Sequence, residues 1–263
     1  MHGSSTSMRL HCDIVGDIAV IKDAPPDTQL RIAESIMNRN KNVKVVLAQS
    51  SPVEGTLRIC KFKVVAGENR TFTVHRENGC LFHIDLATVH FSPRLIQERR
   101  LVAESARPGE CILNMFGGAG TFSIEIAKKW PTKVFNIDIN PEAIRLCLRN
   151  ILANRLRGRV TAVLADAKEA TIILFMEWMD RVLLPLPEKS REYLNAAVSA
   201  LKQRGAIQYY DFIDATKNES PADKMWKRIR LLIDEDRITL GKARIVKSVA
   251  PRRYLVSLDL RKS

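Results

Sequence analysis

No stretch of this 263-residue chain is apolar for long enough to span a bilayer, and no secretory signal opens it. A cytoplasmic location is therefore expected. Five cysteines, Cys12, Cys60, Cys80, Cys111 and Cys147, form no C-x-x-C pair and no cluster with the five histidines, so no metal centre is predicted. Their odd number and apolar settings, as at Cys111-Ile112-Leu113, suit buried thiols in a reducing compartment. Acidic residues are in short supply: 29 Asp and Glu stand against 42 Lys and Arg, a formal net charge of +13. That imbalance suits a polyanionic partner, or a solvated basic surface. The basic residues concentrate at 94–100, 149–159 and 224–230 rather than in an arginine-rich tail, and there is no internal repeat or low-complexity segment.

What is present is a composition of 46% hydrophobic and 27% charged residues, enough for a real core. The length suits one ordinary domain plus a small one. Residues 1–7 are small and polar and are expected to be a disordered tail or an expression remnant. Residues 8–90 read as a small α+β domain. A β-branched run follows the Gly16-Asp17 turn, an amphipathic helix is predicted near Thr28–Arg39, and strands are predicted at Val43–Leu47, Arg58–Val65, Thr71–Arg76 and Leu81–Asp85. One helix on a small antiparallel sheet is the simplest arrangement.

Residues 91–263 change in character. Apolar runs at Cys111–Phe116, Lys133–Asp138, Arg159–Leu164, Asp180–Leu184 and Gly205–Tyr210 alternate with helical patterns at 94–106, 121–129, 141–154, 189–203 and 219–235. Such alternation predicts an α/β domain with a mostly parallel sheet covered on both faces. Ala243–Val249 and Arg253–Leu260 follow without a helix between them, so the sheet is expected to finish in an antiparallel pair.

The most specific local signal is Asn114-Met115-Phe116-Gly117-Gly118-Ala119-Gly120-Thr121, lying between the first parallel strand and a helix. Glycines there let the backbone turn sharply and approach a ligand. Neither G-x-G-x-x-G nor G-x-x-x-x-G-K-[ST] is matched, which argues against dinucleotide and P-loop sites. The second strand ends at Asp138, whose carboxylate can accept both ribose hydroxyls of an adenosyl group, or else cap the next helix, a task Asn140 could take. The third ends at Asp166-Ala167, where Asp166 can accept an adenine amino group or cap a helix. Ligands of open α/β sheets bind along this edge, so the three features together point to a cofactor site.

Read with Phe91-Ser92-Pro93-Arg94-Leu95-Ile96-Gln97-Glu98-Arg99, Asp13-Ile14-Val15-Gly16-Asp17, Glu77-Asn78-Gly79-Cys80-Leu81-Phe82 and Arg244-Ile245-Val246-Lys247-Ser248-Val249-Ala250-Pro251-Arg252, these residues resemble the archaeal and eukaryotic tRNA guanine-37 N1-methyltransferase family. The resemblance runs from about Cys12 to Leu260. It implies a class I, Rossmann-like methyltransferase sheet behind a small domain that positions RNA, S-adenosylmethionine as cofactor, and tRNA, at position 37 of the anticodon loop, as substrate. A monomer is expected. Glu98 matches the family's proposed general base and Arg58 the arginine that stabilises the guanine. Without the resemblance, Glu98 reads as an exposed helix face and Arg58 as a strand-edge charge. Arg94, Phe116, Gly117, Gly118, Gly120, Asp138, Ile139, Asp166, Ala167 and Pro185 are expected at the cofactor. Arg58, His90, Asn140 and Pro187 are expected at the substrate base, with His90 standing where a tyrosine is common.

Three departures matter. Asn114 replaces a more usual Asp near the cofactor's amino acid end. The family's archaeal members often begin with a further domain that touches the outer corner of tRNA, and the resemblance starts at the domain after it. In Leu184-Pro185-Leu186-Pro187, Pro185 replaces an Asn, removing a side-chain amide and a backbone donor. A branch of the archaeal family shares that proline and also methylates C7 of 4-demethylwyosine, so a dual activity is predicted. The alternatives are an aminocarboxypropyltransferase of the wybutosine pathway and a non-catalytic RNA-binding module.

Overall fold

The computed structural model describes residues 12–22, 24–52, 55, 57–233 and 237–263; the tail predicted at residues 1–7 lies outside them. The chain forms two compact units, one ending at Ile96 and the other running from Gln97 to Ser263.

In the first unit, β1 (Cys12–Val15) turns at Gly16 into β2 (Ile18–Ile21), followed by α1 (Pro26–Arg39), β3 (Val45–Gln49) and β4 (Phe62–Gly67). A separate antiparallel hairpin, β5 (Phe72–Glu77) with β6 (Cys80–Asp85), completes it. The four-stranded sheet has the order β1-β2-β3-β4. It corrects the expectation of one antiparallel sheet, because β2 and β3 run parallel. The helix between them carries the chain back to the starting end of β2, which is what a strand-helix-strand unit requires. Ile32 and Ile36, one helical turn apart, bury against Ala19, Ile21 and Val46. Each isoleucine contributes about 1.5–3 kcal/mol by leaving water.

The second unit begins with α2 (Ile96–Ser105), whose first residue closes the preceding unit. It continues as β7 (Cys111–Asn114), α3 (Thr121–Lys129), β8 (Lys133–Asp138), α4 (Pro141–Leu152), β9 (Arg159–Leu164), α5 (Ala167–Leu174), β10 (Met179–Leu184), α6 (Ser190–Ala200), β11 (Leu201–Asp214), α7 (Pro221–Ile229), β12 (Ile238–Ala250) and β13 (Arg253–Lys262). The sheet order is β12-β13-β11-β10-β7-β8-β9. Strands β9, β8, β7, β10 and β11 are parallel, and β13 and β12 close the sheet antiparallel, as predicted. The chain starts at β7 and winds first to one side and then to the other, so the crevice for a ligand falls at the carboxyl ends of β7 and β10.

Four expectations need correction. Helix α5 was missing from them: its buried residues are Ala167, Ala170 and Thr171, while Ile172, Ile173 and Leu174 face outward, so its apolar residues give no inward stripe. The helix expected over 189–203 stops at Ala200 because β11 starts at Leu201, nine residues in front of Tyr210. The one expected over 219–235 ends at Ile229 in a single tight turn, Arg230–Leu232. The strand expected from Arg58 starts at Phe62, and Arg58 sits in a turn with φ of 54°.

Candidate active site

The first parallel strand delivers the glycine turn to the carboxyl edge of the sheet. Gly118 adopts φ of 52° and donates its N–H to Oδ2 of Asp138 at 2.7 Å. Gly117 has no room for a side chain, since a Cβ there would lie 2.2 Å from the Asn136 amide. Gly120 leads into α3. Beneath the turn lies a buried polar chain: Asn114 Nδ2 donates to Ser123 Oγ at 3.1 Å, Ser123 Oγ donates to Asn136 Oδ1 at 2.6 Å, and Asn136 Nδ2 donates to the Gly118 carbonyl at 3.3 Å. The direction of that chain explains the asparagine at 114. Ser123 spends its proton on Asn136 and must accept from 114, which an ionised Asp could not offer.

Asp138 Oδ1 accepts the N–H of Asn140 at 2.9 Å, and Asn140 is the residue whose side chain caps α4. The carboxylate is therefore not used as a cap, and it retains lone-pair capacity for further donors. Burial pushes the Asp138 carboxyl above the ordinary carboxylate range, against the pull of the Asn140, Gly118 and Ile139 N–H groups. Ile139 stands beside it with 44% of its surface exposed, an apolar side chain left open at the sheet edge.

One strand further out, Asp166 caps α5 by accepting the N–H groups of Lys168 and Glu169 at 2.8 and 3.2 Å. Its other oxygen accepts the Tyr193 hydroxyl at 2.7 Å. Burial opposes ionisation here, yet Tyr193 and the Glu169 and Lys168 N–H groups outweigh it and hold the carboxyl below its usual range. Ala167 is buried at the first turn of α5. Tyr193 meets Phe116 edge-on, with centroids 4.8 Å apart at 73°, so Phe116 and Asp166 are joined through a residue that sequence reading missed. Only its i+3 spacing from Ser190, whose hydroxyl lies 2.8 Å from both the Leu184 and Leu186 carbonyls around Pro185, could have hinted at it. Pro185 and Pro187 are half-buried at the end of β10, and the Leu183 carbonyl there accepts the N–H of Met115 at 3.1 Å.

Glu98 is not on an exposed helix face. It is 3% exposed, and Oε1 accepts both the Tyr210 hydroxyl at 2.5 Å and Arg244 Nη2, while Oε2 accepts Arg244 Nη1 at 2.5 Å. Tyr210 and Arg244 are each paired with Ser257 in the strand register, so the three side chains form one row across β11, β13 and β12. Burial first, and then the neighbouring Glu98, push the Tyr210 phenol far above its ordinary range, so it remains a donor. Burial works against the Arg244 charge, but its hydrogen bonds to Glu98 more than compensate and keep the guanidinium ionised.

In the first unit, Arg58 and His90 line one cavity together with Asp13, Lys22, Gln49 and Cys60. Arg94 Nε donates to Asp13 Oδ1 at 2.7 Å, and Lys22 donates to the other oxygen at 2.8 Å. These ion pairs hold the Asp13 carboxyl below its ordinary range despite its burial.

Comparison with known proteins follows the same lines. Residues 73–240, well over half of the chain, match the profile of the TRM5/TYW2 methyltransferase domain. The chain is similar to the tRNA (guanine(37)-N(1))-methyltransferase Trm5b of Pyrococcus abyssi, at 38% identity over 257 residues, covering 95% of this chain and 74% of that protein. The crystal structure of that Trm5b matches with a TM-score of 0.84 at 37% identity, over 96% of this chain and 75% of the other. The tRNA 4-demethylwyosine(37)-methyltransferase Taw21 of Saccharolobus solfataricus is 33% identical over 253 residues, 95% of this chain and 92% of Taw21. The structure of P. horikoshii TYW2 in complex with MeSAdo matches at a TM-score of 0.77 and 26% identity, over 95% of this chain and 90% of that one.

Proposed function

The chain belongs to the TRM5/TYW2 methyltransferase domain family, and from that membership we propose that it is an S-adenosylmethionine-dependent tRNA methyltransferase acting at position 37. It transfers methyl to N1 of guanosine and also to C7 of 4-demethylwyosine. The names of the Trm5b and Taw21 relatives, each about a third identical to this chain, support the two substrates in turn. The observation that carries the reading is the pairing, within one unit, of an adenosyl-type edge at Gly118 and Asp138 with a buried carboxylate at Glu98. A net charge of +13 supports an RNA partner, and we assign it the anticodon loop. We also infer a monomer in the cytoplasm; among the described residues no helix is long and apolar enough to cross a membrane.

The residues fit the cofactor. The free lone pairs of Asp138 take the two ribose hydroxyls, Ile139 and Phe116 offer apolar contact to the adenine, and the glycine turn admits the chain's backbone to close range. Gly117, Gly120, Ala167 and Pro185 border the same edge. Asp166 is committed to Tyr193 through Oδ2 and to its helix through Oδ1, so its contribution to adenine recognition uses the lone pair left on Oδ2 beside the Tyr193 bond. Bound there, the sulfonium compound supplies an electrophilic methyl group. Glu98 takes the N1 proton of guanine as the N1–methyl bond forms, and Arg58 offsets the negative charge growing on O6. Arg94 is assigned to the cofactor, and His90, Asn140 and Pro187 to the base. At C7 of 4-demethylwyosine the nucleophile is a carbon, and a base is needed only to remove its proton after or during attack, so the reaction leans less on Glu98.

Mass spectrometry of residue 37 tests the reading after incubation with unmodified tRNA and with tRNA carrying 4-demethylwyosine. Methylated products from both, with S-adenosylhomocysteine released, are expected. Methylthioadenosine as by-product would instead assign the aminocarboxypropyl reaction, and no C7 product would end the dual reading. Pro185→Asn restores an amide to the loop and is expected to shift the product ratio toward N1 methylation.

A further inference from the structure

The Arg244-Ile245-Val246-Lys247 stretch of β12 has no task in the scheme above, yet its arginine closes on the one buried carboxylate assigned to proton transfer. Resting on that reading of Glu98, we propose that Arg244 and Tyr210 are positioning residues that hold the Glu98 carboxylate in place and fix which of its oxygens accepts the proton. Oε1 accepts two hydrogen bonds, one from Tyr210 and one from Arg244, whereas Oε2 accepts one, from Arg244. Oε2 is thus the oxygen with a lone pair available to the substrate.

The geometry shows why the arrangement is specific. A carboxylate at 3% exposure has given up its water, and the hydrogen bonds from Tyr210 and Arg244 stand in its place. Tyr210 comes from β11 and Arg244 from β12, and each lies across from Ser257 of β13, so the sheet sets their spacing rather than side-chain flexibility. Among the described residues, the charged and titratable groups hydrogen-bonded to the Glu98 carboxylate are Arg244 and Tyr210; Ser257 faces Tyr210 from β13. Arg99, next to it on α2, is directed instead at Glu125 of α3, 3.6 Å away. Arg244 keeps 37% of its side chain exposed while its guanidinium holds the buried base.

The test is the pH profile of single-turnover methyl transfer to N1 of a guanosine-37 tRNA transcript, together with a 13C-carboxyl NMR titration of Glu98 identified by its loss in Glu98→Gln. In Arg244→Met the acid limb of the rate profile and the Glu98 titration are expected to move up together by about one pH unit or more. On the acid limb itself the rate then falls about tenfold per unit of displacement, and it recovers as the buffer is made more alkaline. Tyr210→Phe moves both in the same direction by less, and Arg244→Lys returns most of the wild-type profile. Tyr210→Phe and Arg244→Lys retain the shape of the row, so they serve where the methionine variant fails to fold. A Glu98 titration and acid limb that stay in place in these variants, with KM for tRNA raised instead, would assign Arg244 to phosphate binding and overturn the inference. Full N1 activity in Glu98→Gln at every pH is a different result: it removes the base assignment itself, and the inference with it.

Discussion

Two carboxylates in the second unit are held in opposite ways. Asp138 is held by backbone N–H groups, from Gly118 twenty residues before it and from Asn140 two residues after. Glu98 is held by side chains 112 and 146 residues away. The first arrangement is local and leaves the carboxylate poorly compensated, free to accept from a ligand. The second gathers a cation and a phenol from distant strands and leaves the carboxylate saturated on one oxygen. On the proposed assignments, the group that binds hydroxyls gains by being under-satisfied and the group that takes a proton gains by being held still.

The strongest test of this contrast is Glu98→Gln. Turnover at N1 is expected to fall about 10²–10⁴-fold with cofactor affinity unchanged, measured by single-turnover kinetics beside calorimetry. A parallel loss in cofactor affinity would mean that the two carboxylates belong to one site and not to two tasks. Next in size is Asp138→Ala, which should weaken cofactor binding by about 1.5–3 kcal/mol in a folded protein. Unchanged affinity there would reduce Asp138 to a brace for the glycine turn.

The same carboxylate sharpens the contrast through pH. Its folded pKa is raised, so its contribution to the ligand-free fold is present below the ordinary carboxylate pKa and lost as pH rises through the raised one. Cofactor binding runs in the other sense, because only the ionised form accepts from both hydroxyls. Affinity should weaken as the buffer is acidified through the raised pKa in the wild type and stay flat in Asp138→Ala.

Gly117→Ala should cost about 1–3 kcal/mol of stability, read from denaturant unfolding, since Asn136 is buried and tied at both ends and cannot move aside. The smallest effect is expected from Tyr193→Phe. It removes one hydrogen bond to Asp166 and should lower cofactor affinity by about 0.5–1.5 kcal/mol. No change in affinity would separate the Phe116–Tyr193 pair from the cofactor edge.

How much of this was legible follows from the same division. The glycine turn, Asp138 and Asn140 lie within 27 residues of one another, as Asn114 through Asn140, and their strand-turn-helix pattern declares them. The antiparallel finish of the sheet was also readable, because two strand patterns stood with no helix between them. The Glu98 cradle was not readable from pattern alone. Gln97-Glu98-Arg99-Arg100 has the charge of a solvated helix face, and only pairing with β11 and β12 reverses that impression. Helix α5 escaped for a related reason: Ile172, Ile173 and Leu174 advertise a core that the fold places on the outside. The parallel β2–β3 pair was implied by strand-helix-strand order and overlooked in favour of the hairpins that follow.

The hairpin of β12 and β13 that supplies Arg244 and Ser257 comes last in chain order, and this has a consequence for synthesis. A nascent chain grown only as far as Asp214 already contains the glycine turn, Asp138, Asp166, Pro185 and even Tyr210. It lacks the guanidinium that pairs with Glu98, so a ribosome-bound intermediate would carry an uncompensated acid in its forming core until β12 is made. On the proposed assignments, competence to bind the methyl donor and competence to use it are therefore acquired at different moments, with the second waiting on β12.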